Sequence, residues 1–116
     1  MASAANSIGW SEVNELKDDK NVLLVDVREP KELQETGIIP CAINIPLGTL
    51  ENAFKDLTPE EFQAKYQREK PKTDTPLVFS CRSGNRSAKA LNIAVGLGYT
   101  NTKNYVGGWN DWAKHL

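Results

Sequence analysis

Leu77-Val-Phe-Ser-Cys81-Arg-Ser-Gly-Asn-Arg86-Ser87 is the stretch on which the reading of this chain turns. The apolar run from Leu77 to Phe79 predicts a buried strand, and the polar loop behind Cys81 leads into a helical pattern. A cysteine leaving a buried strand toward the start of a helix sits among backbone N–H groups and a positive dipole end. That environment favours thiolate over thiol, and the thiolate is the nucleophile. Gly84 lets the loop fold back on itself, and successive N–H groups can then converge into an anion-binding nest. Arg82 and Arg86 add positive charge beside it. The stretch reads as nucleophilic cysteine chemistry on an anion.

Outward from the loop, strands alternate with helices. Val22 to Asp26 is a continuous apolar run, as expected of a strand covered on both faces. Ala42 to Ile45 is a second strand stopped by Pro46, and Asn104 to Val106 a further short one. Helices are predicted from Glu12 to about Lys17 with Ser11 as cap, from Pro30 to Glu35, and from Leu47 to Phe54. Thr58-Pro-Glu-Glu61 is a capping box that opens another helix. The helix behind the cysteine loop runs from about Ser87 to Leu97 and closes at Gly98, and Trp109 to about Lys114 ends the chain's pattern. This order predicts an α/β domain with a mainly parallel sheet, in which ligands bind beyond the carboxyl ends of the strands, where Cys81 lies.

With 116 residues the chain fits a single domain without repeats. Its 14 Lys and Arg against 15 Asp and Glu leave a net charge of −1, which argues against general nucleic-acid binding. No apolar stretch approaches the roughly 20 residues of a membrane span. Met1 to Ser7 has neither an apolar segment nor an arginine, unlike a secretory signal or transit peptide. Cys41 and Cys81, the only cysteines, make no disulfide framework, and with His115 as the only histidine no metal site is expected. A reducing, cytoplasmic setting is the simplest expectation, with mitochondrial residence left open.

Asp26-Val-Arg28-Glu29, Ala42-Ile-Asn-Ile-Pro46, Cys81 to Ser87 and Gly107-Gly-Trp109 with Trp112 together resemble a rhodanese (sulfurtransferase) domain. The resemblance spans roughly Ile8 to Trp112. The stretch Leu57 to Pro71, with Phe62, Tyr66 and Lys70, is similar to small single-domain thiosulfate sulfurtransferases of animals, the thiosulfate:glutathione type and a heat-shock-locus relative among them. It implies a rhodanese-like three-layer domain, a five-stranded, mainly parallel sheet flanked by helices. It also implies that Cys81 takes the sulfane sulfur of thiosulfate as a persulfide, cradled by Arg82, Ser83, Gly84, Asn85, Arg86 and Ser87. Glutathione, cyanide or a thioredoxin-like protein thiol would accept it. No cofactor is expected, and a monomer is. Where the family often has Gly-His-Ile-Pro-Gly-Ala, this chain has Gly37-Ile-Ile-Pro-Cys-Ala42. The missing histidine is not the sulfur carrier, whereas Cys41 leaves open a second thiol.

Bland readings compete at several positions. Asp26 and Arg28 are expected to organise strand ends, since sulfite leaves without protonation, and Trp109 to support the site from the core. Arg86 is expected to face the pocket, while Arg82 can point to solvent. Cys41 reads as buried filler, Glu32, Glu35 and the charges from Lys65 to Lys72 as solvated surface, and His115 as a frayed end. The other functions weighed are a cysteine phosphatase or arsenate reductase and a silent, partner-binding module. Phosphatase loops of the related cell-cycle type hold one residue more between cysteine and arginine than the four found here. Silent relatives typically lose the cysteine that this chain keeps.

Overall fold

A computed structural model describes residues 6–116. Residues 1–5, and with them most of the Met1-to-Ser7 stretch that lacks leader features, lie outside the described residues. Five strands form one sheet: β1 (Ser7–Ile8), β2 (Leu23–Asp26), β3 (Ile43–Asn44), β4 (Leu77–Ser80) and β5 (Thr102–Tyr105). Their order is β1-β5-β4-β2-β3, and every neighbouring pair is parallel.

The apolar runs explain the centre of this sheet. All four residues of β2 and all four of β4 are buried, as a strand covered on both faces requires. Leu23 and Val25, with Leu77 and Phe79, face one core together with Phe54, Phe62, Leu91 and Ala94. These last come from α3 (Leu50–Lys55), α4 (Pro59–Tyr66) and α5 (Asn85–Gly96). Leu24 and Val78 face the other core with Val13, Trp109 and Trp112, from α1 (Trp10–Leu16) and α6 (Gly108–Trp112). The result is three layers, and burying a side chain such as Phe79 contributes about 1.5–3 kcal/mol. The remaining helix, α2 (Pro30–Thr36), buries no residue fully and lies across the carboxyl end of β2.

Several boundaries differ from the sequence reading. The strand β1 was not expected; it has no apolar run, and it exists because Ser7 and Ile8 pair with Asn104 and Tyr105. Gly9 rather than Ser11 precedes the first helix, which starts at Trp10. A 3-10 turn, Leu47–Thr49, takes the first part of the helix expected from Leu47. Thr58 and Glu61 form the expected reciprocal cap, with Glu61 N–H donating to Thr58 Oγ1 at 3.1 Å and Thr58 N–H to Glu61 Oε1 at 2.9 Å. His115 is not frayed: its ring stacks on Trp10 with centroids 4.1 Å apart. Nor are the Lys65-to-Lys72 charges uniformly solvated, because Arg68 donates to Val22 O at 2.9 Å and Lys70 to Leu57 O at 2.6 Å.

Candidate active site

Strand β4 delivers Cys81 to the carboxyl edge of the sheet, and α5 opens four residues later at Asn85, two before the predicted start. Cys81 is 1% exposed, so its sulfur lies at the floor of the loop and not on its rim. Gly84 N–H donates to Sγ at 3.0 Å, and Ser87 Oγ lies 3.3 Å from it. Burial pushes the thiol up, but the Ser87 hydroxyl and the N–H groups of Ser87, Ser83 and Gly84 outweigh it. The balance holds Cys81 below the ordinary thiol value. The net favours a nucleophilic sulfur.

For N–H groups to face inward, the loop's carbonyls must turn out and find donors elsewhere. Trp109 N–H donates to Cys81 O at 2.8 Å and Asn110 N–H to Arg82 O at 3.1 Å, so the start of α6 takes them. Asn104, at the end of β5, donates from Nδ2 to Gly84 O at 3.3 Å. Two glycines permit this close approach. Gly84 has φ +92°, and a Cβ there would lie 2.5 Å from Val106 O. Gly108 has φ +56°, and its Cβ would lie 2.5 Å from Cys81 O. Asn104 was missed in the sequence because a lone strand asparagine carries no local signal.

Arg86 has an acidic partner that the sequence did not place beside it. Its guanidinium meets Glu32 of α2 in a two-pronged pair, 2.7 Å to Oε2 and 2.9 Å to Oε1. Arg82 Nε reaches the same carboxylate at 3.4 Å. Glu32 is therefore a site residue, correcting its reading as solvated surface. Chiefly because of the Arg86 contact, its carboxyl is lowered from about 4.5 to about 2. One carboxylate between two guanidinium groups leaves a net charge of about +1 on this side of the loop.

The pair Asp26 and Arg28 is buried below. Arg28 donates from Nε and Nη2 to Asp26 at 2.8–3.1 Å and also reaches Thr36 Oγ1 and Gly37 O. Its guanidinium carbon lies 5.3 Å from the ring centre of Trp109. Asp26 at the end of β2, the far end of α2 and the tryptophan of α6 thus share one cation. Cys41 is neither buried nor near. It is exposed, with φ +71°, and its Sγ lies 4.0 Å from Asp18 Oδ1 at the amino end of the sheet. A strand length of roughly 13 Å separates that end from Cys81, well beyond disulfide reach.

Residues 10–115 match the model of the rhodanese-like domain family. The chain belongs to that family. As a rhodanese-like domain it is 45% identical over 105 residues to the rhodanese domain-containing protein CG4456 of Drosophila melanogaster, covering 90% of this chain and 94% of that one. It is 40% identical over 111 residues to the human thiosulfate:glutathione sulfurtransferase, covering 95% of each. Among solved structures, the human single-domain sulfurtransferase TSTD1 superposes with a TM-score of 0.87 at 38% identity, covering 97% of this chain and 99% of that one. The parallel sheet and flanking helices are thus those of the rhodanese-like fold. Among the described residues, no helix is long and apolar enough to cross a membrane, and no cluster of His, Cys, Asp and Glu is arranged for a metal.

Proposed function

We propose that this rhodanese-like domain is a thiosulfate sulfurtransferase working through a persulfide on Cys81. The observation that carries the reading is the Cys81 sulfur held by Gly84 N–H and Ser87 Oγ at 3.0 and 3.3 Å. Relatives named as thiosulfate:glutathione sulfurtransferases in human and yeast support the donor and the reaction class.

In the first half-reaction the Cys81 thiolate attacks the outer sulfur of thiosulfate. A sulfur–sulfur bond forms to Cys81, the one inside thiosulfate breaks, and sulfite leaves with its electron pair. No proton is transferred, which fits a loop of N–H donors lacking an acid. Burial costs the charged sulfur solvation, and the inward N–H groups of Ser83, Gly84 and Ser87 replace it. Arg82, at the exposed rim, draws the dianion in, and Asn85 and Arg86 complete the cradle. Asp26, Arg28 and Trp109 hold the frame beneath. In the second half-reaction a thiol or cyanide attacks the outer persulfide sulfur and releases the Cys81 thiolate. The domain needs no cofactor for this cycle and acts as a monomer in a reducing, cytoplasmic or mitochondrial compartment.

Intact mass after incubation with thiosulfate tests the reading. One added sulfur atom, removed by cyanide and lost in Cys81→Ser, is the expected result; an unloaded wild-type protein would overturn it.

A further inference from the structure

A cavity of about 370 Å³ lies beside the candidate site, lined by Pro30, Asn44, Pro46, Thr49, Lys65 and Tyr66. The sheet fixes its distance from the cysteine. Asn44 ends β3 level with Asp26, and Asp26 is level with Ser80, the residue before Cys81. With β2 between them, the cavity wall and the cysteine strand are two strand spacings apart, about 10 Å, on the same carboxyl edge. Pro30 opens α2, the helix whose Glu32 holds Arg86, so the cavity and the loop share one wall.

The lining is chemically uneven. Lys65 is exposed, its ammonium 5.6 Å from the ring centre of Tyr66, and among the described residues it meets no carboxylate. Asn44 spends its Nδ2 on Asp26 O and Arg28 O, both at 2.9 Å, which leaves Oδ1 as an acceptor. Two prolines and the Tyr66 ring supply rigid apolar surface. A cation, an acceptor and apolar walls suit a small peptide that carries carboxylates and amide or ammonium donors. An extended tripeptide spans about 10 Å, the distance from this cavity to the cysteine.

We infer that this cavity is the acceptor subsite, and that it takes a short anionic peptide thiol of the glutathione class. The inference rests on the sulfurtransferase reading above. The acceptor's carboxylate lies at Lys65, its backbone runs along Asn44 and Pro46, and its thiol reaches the Cys81 persulfide. Its thiolate then attacks the outer sulfur; the persulfide bond breaks, Cys81 leaves as thiolate, and the acceptor departs as its own persulfide. Protein thiols and cyanide do not need the cavity.

The test is transfer from thiosulfate to glutathione, 2-mercaptoethanol and cyanide by the wild-type protein and by Lys65→Glu and Lys65→Arg. Reversing the charge should raise KM for glutathione about tenfold, with Lys65→Arg close to wild type. Turnover with 2-mercaptoethanol and cyanide should stay unchanged. An unchanged glutathione KM in Lys65→Glu, or an equal loss with all three acceptors, would overturn the subsite. Calorimetric titration with S-methylglutathione reads the same contact without turnover, and equal binding by wild type and Lys65→Glu would likewise overturn it. A wild-type protein that loads no sulfur yet binds S-methylglutathione through Lys65 would instead overturn the parent reading and leave the cavity assignment standing.

Discussion

The Glu32 carboxylate and the Arg86 guanidinium meet fork to fork, at 2.7 and 2.9 Å, across the gap between α2 and α5. The Glu32 carboxylate also accepts the Glu29 N–H at 2.9 Å, so one side chain caps its own helix and anchors the cysteine loop's arginine. A two-pronged contact fixes the plane of the guanidinium as well as its position. The charge at the mouth is thereby set by three residues, Arg82, Arg86 and Glu32, and not by the arginines alone.

This predicts an unusual result for Arg86→Ala. The substitution removes a cation and leaves Glu32 opposed only by Arg82, so the mouth becomes less attractive to a dianion. Thiosulfate kcat/KM should fall about 10- to 150-fold, the equivalent of one charged contact of about 1.5–3 kcal/mol. Adding Glu32→Gln to Arg86→Ala should recover part of that loss. A double-mutant cycle in thiosulfate kcat/KM measures the coupling, and strict additivity would contradict the pairing.

The same pair sets an acid limit on stability. Glu32 is lowered in the folded state to about 2 from about 4.5, so its contribution is fully present above about 4.5. It is lost as pH falls through about 2. Arg82 and Arg86 are 41% and 35% exposed, so solvent screening holds the contribution to about 1 kcal/mol. Thermal unfolding of wild type and Glu32→Gln across this range should show the two curves converging at the acid end.

The depressed Cys81 thiol gives a pH signature to the first half-reaction. Sulfite release should rise through a pKa below that of a free cysteine and then level off. Ser87→Ala removes the hydroxyl 3.3 Å from Sγ and should shift that rise to higher pH. The same hydrogen bonds favour the thiolate form of the folded protein, so their stabilisation is present above the free-thiol pKa and declines as pH falls through the depressed one. Ultraviolet absorbance of the thiolate reads the wild-type protein and Ser87→Ala directly.

Glycine 84 tests the geometry of the loop. Its φ of +92° and a Cβ position 2.5 Å from Val106 O leave no room for a side chain. The φ alone costs about 1–2 kcal/mol for an L residue, and the clash with backbone adds to it. Gly84→Ala should therefore lower Tm and impair sulfur loading together. Full loading in a destabilised Gly84→Ala would show that the nest tolerates displacement.

At Cys41 the prediction runs in the opposite direction. The residue holds φ +71° with its side chain exposed, a conformation that glycine adopts freely. Cys41→Gly should raise stability by about 0.5–1 kcal/mol after the entropy that glycine gains in the unfolded chain, and should leave sulfur loading intact. Denaturant unfolding and intact mass check the two halves. Loss of loading would make Cys41 a participant in the cycle.

Local patterns made the central elements legible in the sequence. Leu77 to Phe79 and Val22 to Asp26 announced buried strands because apolar runs have few other uses in a chain of this size. Thr58 to Glu61 announced its helix because a reciprocal cap is complete within four residues. Cys81, Gly84 and Ser87 could be placed in one loop because they are neighbours along the chain.

The residues that the sequence misplaced owe their positions to distant partners. Glu32 lies 54 residues from Arg86, Asn104 lies 20 from Gly84, and β1 exists only through pairing with β5. His115 and Cys41 misled for the same reason, since the ring stacking of the one and the exposure and backbone sign of the other depend on what packs alongside. The order of residues determined a cysteine in an N–H loop between a buried strand and a helix. The tertiary structure decided which carboxylate tempers its arginines, which donors hold its carbonyls outward and which cavity opens beside it. Hydrogen bonds and ion pairs act over a few ångströms in space, and only the folded sheet brings α2, β5 and α6 within that range of Cys81.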